Sequence, residues 1–183
     1  MIEMTGDATV EQLYRRIRDV PNFPRPGVVF KDITPLLLDP AALDQAVGEL
    51  AAHARPLGVE LIVAAEARGF ILGGALAREL GVGFVPARKP GKLPRETISV
   101  QFQLEYGLDE LQLHADALTG GTRVLIHDDV LATGGTAKAK IDLVEQLGGQ
   151  VVGCAFVVEL GFLGGREALA GYDVHALVDY DAP

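Results

Sequence analysis

The sequence predicts an α/β fold with a largely parallel sheet, on three observations. Short apolar runs alternate with segments of helical periodicity, and the connections between them are brief. The chain has 183 residues, 49% of them apolar and 22% charged, the balance of one soluble globular core and not of a disordered, fibrous or disulfide-scaffold chain. At this length folding buries roughly 70% of the surface exposed by the unfolded chain. The 22 glycines and 10 prolines supply many turns and close backbone approaches, which suits an α/β fold whose loops carry function.

Along the chain, a short helix is expected at about 10–18, with Leu13, Ile17 and the apolar part of Tyr14 on one side. Pro21-Asn22-Phe23-Pro24-Arg25-Pro26-Gly27 excludes regular structure. Asp39-Pro40 reads as an N-cap with proline at the first helical position, opening a helix to about Ala54 that Pro56 and Gly58 close. Leu61-Ile62-Val63-Ala64-Ala65 is a buried strand, followed by Glu66-Ala67-Arg68-Gly69, a helix to about Leu80 and a strand at 83–87. The arm at 88–113 contains two period-two stretches, 97–104 and 110–114, with Tyr106-Gly107 between them, as in an antiparallel hairpin outside the main sheet. A strand at 123–127, a Gly-rich turn, a helix to Leu147, a strand at 150–158, a short helix near 165–170 and a strand at 174–178 complete the repetition.

The net charge of −9 makes the chain a poor candidate for nucleic-acid or anionic-membrane binding, so a phosphate ligand must meet a local patch. Cys154 is the single cysteine and lies in an apolar run, which excludes an intrachain disulfide and fits a reducing, cytoplasmic setting. The acidic N-terminus has no apolar signal region, and no apolar run approaches membrane-spanning length. His53, His114, His127 and His175 lack the spacing of a zinc site. Ser99, the single serine, has no Gly-x-Ser-x-Gly context.

The most informative stretch is Val124-Leu125-Ile126-His127-Asp128-Asp129-Val130-Leu131-Ala132-Thr133-Gly134-Gly135-Thr136. At the carboxyl end of a parallel strand, such a turn lets backbone N–H groups converge, adds threonine hydroxyls and places a helix N-terminus beside them. That is a cradle for a phosphate monoester. Asp128 and Asp129 would repel phosphate but accept hydrogen bonds from sugar hydroxyls, so the pair beside the cradle points to a sugar phosphate. An isolated Asp-Asp pair would read as a solvent-facing turn. The loop is no Walker A motif, because the Gly-Lys-Ser/Thr ending is missing.

This stretch resembles the sugar-diphosphate motif of the type I phosphoribosyltransferase family. Further segments point to its adenine-using branch: Phe23-Pro24-Arg25-Pro26-Gly27-Val28-Val29-Phe30-Lys31-Asp32-Ile33-Thr34-Pro35, Glu66-Ala67-Arg68-Gly69-Phe70, Arg88-Lys89-Pro90-Gly91-Lys92-Leu93-Pro94 and Leu104-Glu105-Tyr106-Gly107. The resemblance implies a single domain at 1–183, with a parallel-sheet core, an N-terminal hood at about 20–35 and a hairpin lid at about 88–113. It implies purine salvage: transfer of ribose 5-phosphate from 5-phosphoribosyl 1-pyrophosphate (PRPP) to adenine, giving AMP and pyrophosphate with Mg²⁺. It also implies a cytoplasmic homodimer.

By the same resemblance, Ala132, Thr133, Gly134, Gly135 and Thr136 hold the 5-phosphate, and Asp128 and Asp129 the ribose. Arg68, Arg88, Lys89 and Lys92 face pyrophosphate, and Val29, Phe30 and Lys31 form the adenine pocket. Glu105 approaches the purine and, with Arg68 and Arg88, carries the chemistry. Mg²⁺ enters on PRPP without a direct protein ligand, its waters oriented by Asp128 or Asp129. Composition alone leaves blander readings: the four cations of 88–96 as a solvated loop, Arg68 as a surface residue, Phe30 as core. His127 stands where the family usually has an aliphatic residue and is expected to be a strand residue without an assigned role. Two alternatives stay open, a PRPP-sensing regulator without chemistry and the same transfer to hypoxanthine, xanthine or orotate.

Overall fold

The structure, a computed structural model, describes residues 5–104 and 107–183. Helix α1 (Thr5–Tyr14) leads to strand β1 (Arg18–Pro21), which pairs antiparallel with β2 (Val29–Asp32) to form a two-stranded hood. The first helix is therefore shorter at its end than the periodicity predicts. Tight turns from Arg16 N to Leu13 O (2.9 Å) and Ile17 N to Tyr14 O (3.1 Å) stop it, and Arg18 pairs across to Asp32 instead of continuing the spiral.

A short helix α2 (Thr34–Leu38), absent from the sequence reading, precedes α3 (Pro40–Ala54). At α3 the expected cap is present: the Asp39 carboxylate accepts from Ala41 N (3.0 Å) and Ala42 N (3.4 Å), with Pro40 in the first turn. Then follow β3 (Leu61–Ala65), α4 (Gly69–Leu80), β4 (Gly83–Ala87), the hairpin β5 (Thr97–Leu104) and β6 (Gly107–His114), β7 (Arg123–Leu131), α5 (Gly135–Gln146), β8 (Gln150–Leu160), α6 (Gly165–Ala168) and β9 (Val174–Tyr180).

The main sheet is parallel, in the order β4-β3-β7-β8-β9. Both its faces are covered, which is why its strands read as continuous apolar runs. On one face α3 and α4 bring Leu50, Leu72 and Leu76 against Ile62 and Leu125. On the other, α5 and the hairpin bring Ile141, Val144, Leu111 and Leu113 against Val63, Ile126 and Phe156. Adjacent β3 and β7 are followed by connections that leave in opposite directions across the sheet. This is a topological switch point, and the crevice beyond its carboxyl ends is where such sheets bind ligands.

Strand β7 runs four residues past the expected 127, because Val130 and Leu131 still pair with Val158 and Glu159 of β8. Asp128 and Asp129 are thus strand residues held in register at the switch point, not members of a free turn. The expected hairpin forms, with Thr97 opposite His114 through Leu104 opposite Gly107, so its second strand begins at Gly107 and not at 110.

Candidate active site

Between β7 and α5 the chain passes through Ala132, Thr133 and Gly134 and opens the helix at Gly135. Gly134 has φ +85°, and a Cβ there would lie 2.7 Å from the Gly165 carbonyl oxygen and 2.8 Å from Ala168 Cβ. Conformation and space both demand glycine. As the α5 cap, Gly134 offers no side-chain acceptor, so the first amides of the helix stay available to an anion. A hollow of about 110 Å³ lies over them, lined by Asp128 and residues 130–137.

The two aspartates have different surroundings. Asp128 accepts from the Asp129 amide at Oδ1 (3.1 Å) and from Lys140 Nζ at Oδ2 (2.7 Å). Lys140, fully buried on α5, also donates to the His127 carbonyl at 2.6 Å. Asp129 is buried, and Arg68 Nε lies 2.6 Å from its Oδ2 as an ion pair. That approach lacks hydrogen-bond direction, leaving Oδ2 paired by charge alone. Burial and the neighbouring Asp128 push the Asp129 carboxyl up to about 6, against the opposing pull of Arg68.

A cavity of about 360 Å³ separates the hood from the sheet edge. Val28, Val29, Phe30 and Lys31 line one side, Ala65, Glu66, Ala67 and Arg68 another, and Asp128, Asp129, Val130, Ala132, Thr136 and Leu160 the floor. Asp128, Val130, Ala132 and Thr136 also line the smaller hollow, so the two spaces adjoin and share a wall. Phe30 is braced edge-on by Phe23 at 5.2 Å, and the Arg68 guanidinium sits 4.6 Å over its ring. Lys31 turns its ammonium away, to Asp19 at 2.8 Å and over the Tyr180 ring at 4.1 Å, so this side chain anchors the hood. The Glu66-Ala67 peptide is cis.

The lid cations join the site through Glu66. Arg88 donates to Glu66 Oε2 from Nη2 (2.8 Å) and Nε (3.3 Å), and the Lys89 amide donates to Oε1 at 2.7 Å. Burial raises the Glu66 carboxyl, but these bonds outweigh it and hold the group below its ordinary range. Lys89 Nζ pairs with Asp109 at 2.9 Å, and Lys92 supplies its carbonyl to Arg88 at 3.2 Å. Arg88, Lys89 and Lys92 do not line the cavity itself. Glu105 lies outside the described residues.

Lys140, Glu66, Val28 and Leu160 are site residues that the sequence did not single out. Lys140 reads as an ordinary helical lysine, because its partners are 12 and 13 positions away in the chain. Leu160 ends an apolar strand, and no sequence signal distinguishes it from core. His127 is a buried strand residue, as expected, and its Nδ1 donates to Ala155 O at 2.9 Å.

A hollow over a helix N-terminus, adjoining a cavity that has Phe30 on one wall and two aspartates on its floor, suits a nucleotide assembled in place. The family profile of the phosphoribosyl transferase domain matches residues 37–170, which makes the class that of the phosphoribosyltransferases. The chain is 57% identical over 178 residues to the adenine phosphoribosyltransferase of Rubrobacter xylanophilus, covering 97% of this chain and 96% of that one. It is 56% identical over 171 residues to the adenine phosphoribosyltransferase of Nitrosococcus oceani, covering 93% and 100%. Among solved structures, the adenine phosphoribosyltransferase of Thermoanaerobacter pseudethanolicus superposes with a TM-score of 0.92 at 51% identity, over 93% of this chain and 99% of that one. The Saccharomyces cerevisiae enzyme, complexed with an iminoaltritol bisphosphate and adenine, gives 0.89 at 37% identity over 93% and 99%. The chain belongs to the adenine phosphoribosyltransferase family.

Proposed function

We propose how the residues of this chain divide the work of its reaction, the transfer of ribose 5-phosphate from PRPP to adenine to give AMP and pyrophosphate. The observation that carries the assignment is the adjacency of the 110 Å³ hollow and the 360 Å³ cavity, which share Asp128, Val130, Ala132 and Thr136 as lining residues. Ala132, Thr133, Gly134, Gly135 and Thr136 bind the 5-phosphate, and Asp128 and Asp129 accept from the ribose hydroxyls. Adenine lies on Phe30 beside Leu160, its edge read by the backbone of Val29 and Lys31. Arg68, Arg88, Lys89 and Lys92 stabilise the charge that develops on departing pyrophosphate, while the anomeric carbon becomes oxocarbenium-like and a ring nitrogen of adenine attacks. Glu105 receives or returns the purine proton. Closure of the lid at about 88–113 over the single domain excludes water and so prevents hydrolysis of the activated ribose.

Among the described residues no group of three or more His, Cys, Asp and Glu side chains converges to hold a metal. The carboxylates of Asp128 and Asp129, both lining the cavity, fit Mg²⁺ that arrives on PRPP oxygens, whose waters they would orient. When bound, the ion neutralises pyrophosphate charge. A cytoplasmic homodimer is part of the same reading. It is supported by the likeness to the adenine phosphoribosyltransferases alone. Among the described residues no helix is long and apolar enough to cross a membrane.

The test is chromatographic: pure protein with PRPP, Mg²⁺ and adenine, hypoxanthine, guanine or orotate in separate reactions. AMP and pyrophosphate are expected from adenine alone. Turnover only with another base would overturn the adenine pocket while keeping the phosphate site. In the same assay Glu105→Gln is expected to lower kcat by about 10²–10⁴ with the KM for PRPP nearly unchanged, and an unchanged kcat removes Glu105 from the chemistry.

A further inference from the structure

Asp128 and Asp129 each have a cation, but the two cations differ in kind. Arg68, paired with Asp129, has 45% of its side chain exposed and rests on Phe30 inside the cavity, so it is placed to turn toward a ligand. Lys140, paired with Asp128, has none of its side chain exposed. It reaches that position because a helical side chain leans toward its helix N-terminus, and from α5 this carries the ammonium back beneath the end of β7. There it is fixed by two short bonds, 2.6 Å to the His127 carbonyl and 2.7 Å to Asp128 Oδ2.

Stability alone gives little reason for such a residue. An ammonium withdrawn from water carries a large desolvation penalty, and exchanging a buried ion pair for apolar side chains of similar volume is often neutral or stabilising. Two carboxylates beside a phosphate hollow are in turn a liability for binding an anionic substrate, unless each negative charge is locally offset. Lys140 supplies that offset from below, where no ligand can displace it. It also fixes the Asp128 rotamer: Oδ2 is held by the ammonium, Oδ1 by the Asp129 amide, and Gly69 leaves room, since a Cβ there would lie 2.5 Å from Oδ1. Lone pairs of the carboxylate not used by these bonds remain to accept from a sugar hydroxyl.

We propose that Lys140 is a positioning residue for the sugar phosphate: it holds the Asp128 carboxylate oriented toward the ribose of PRPP and offsets the repulsion that this carboxylate would exert on the substrate's phosphates. The proposal rests on the assignment of Asp128 to the ribose, and the experiment separates the two. It is a double-mutant cycle on full-length protein, with Lys140→Met, Asp128→Asn and the double variant, read as separate KM values for PRPP and adenine and as kcat.

Lys140→Met is expected to raise the KM for PRPP about tenfold or more and to change the KM for adenine by less than about twofold. Asp128→Asn raises the KM for PRPP as well, and adding Lys140→Met to it produces little further loss. Lys138→Met is the control, an exposed neighbour paired with Asp142 on the same helix, and is expected to leave both constants unchanged. If Asp128→Asn leaves the KM for PRPP unaltered, the ribose assignment fails and the proposal falls with it. If Asp128→Asn weakens PRPP while Lys140→Met does not, or if the Lys140 effect persists undiminished beside Asp128→Asn, the proposal alone is overturned. Should Lys140→Met not fold, Lys140→Gln and the charge-neutral double variant take its place with the same readouts. Failure of both to fold would make Lys140 a core residue and overturn the positioning role.

Discussion

Asp129 is 5% exposed and stands beside a second carboxylate, and the Arg68 guanidinium that faces it is not aligned for a hydrogen bond. Its carboxyl is raised from 3.8 to about 6, so the folded chain binds this proton more tightly than the unfolded chain does. The stabilisation is complete below pH 3.8 and is lost as the pH rises through about 6. At pH 8 the group therefore opposes folding, a cost that its proposed role as an acceptor for the ribose hydroxyls would explain. Asp129→Asn is expected to raise stability at pH 8 by about 1–3 kcal/mol, an advantage that vanishes near pH 4, while the KM for PRPP rises. Denaturant titration at both pH values, with steady-state kinetics at pH 8, checks this. A variant less stable at pH 8, or one that binds PRPP normally, would refute it.

At the level of elements, the hairpin is less free than a loop rich in charge suggests. Its β6 strand is tied to the end of β4 by an Arg88–Gln112 pair, with N···O distances of 3.0 and 2.7 Å, and Leu111 and Leu113 are buried in the cluster that α5 covers. Leu113 is fully buried, so Leu113→Ala is expected to reduce stability by about 2–5 kcal/mol. Amide exchange should quicken in β5 and β6 and stay slow in β7 and β8. Uniform acceleration across the chain would show that the hairpin does not open as a separate unit. The period-two pattern of Ile98, Val100 and Phe102 made this hairpin legible in the sequence, as the apolar runs made the sheet legible, because both signals are local. Element ends were not. Whether β7 stops at His127 or at Leu131 depends on Val158 and Glu159, some 28 residues onward. The same division holds in the site. The turn from Ala132 to Thr136 could be read directly, whereas the Glu66 bonds to Arg88, the Lys140 bond to Asp128 and the placement of Leu160 exist only once distant segments meet.

For the whole molecule, the response of stability to acid sums groups of opposite sign lying within one short stretch of β7. His127 is fully buried, its Nδ1 donates to Ala155 O, and its Nε2 has no partner. Burial first, with Lys140 adding to it and Asp128 and the Ala155 carbonyl opposing, lowers the imidazole from 6.5 to about 4. A depressed base of this kind contributes stability that is complete above pH 6.5 and lost as the pH falls toward 4, up to about 3 kcal/mol. Asp129 contributes in the reverse direction over nearly the same interval, so each masks the other in the wild type. Single variants separate them. From pH 7 to pH 4 the stability of His127→Val minus that of wild type should climb steadily toward the variant, and that of Asp129→Asn minus wild type should fall. Unfolding free energies measured in denaturant at half-unit steps of pH give both difference curves. A flat His127→Val curve would mean that the imidazole protonates inside the fold without resistance, contrary to its burial, and parallel curves would mean that the two groups do not titrate in opposite senses.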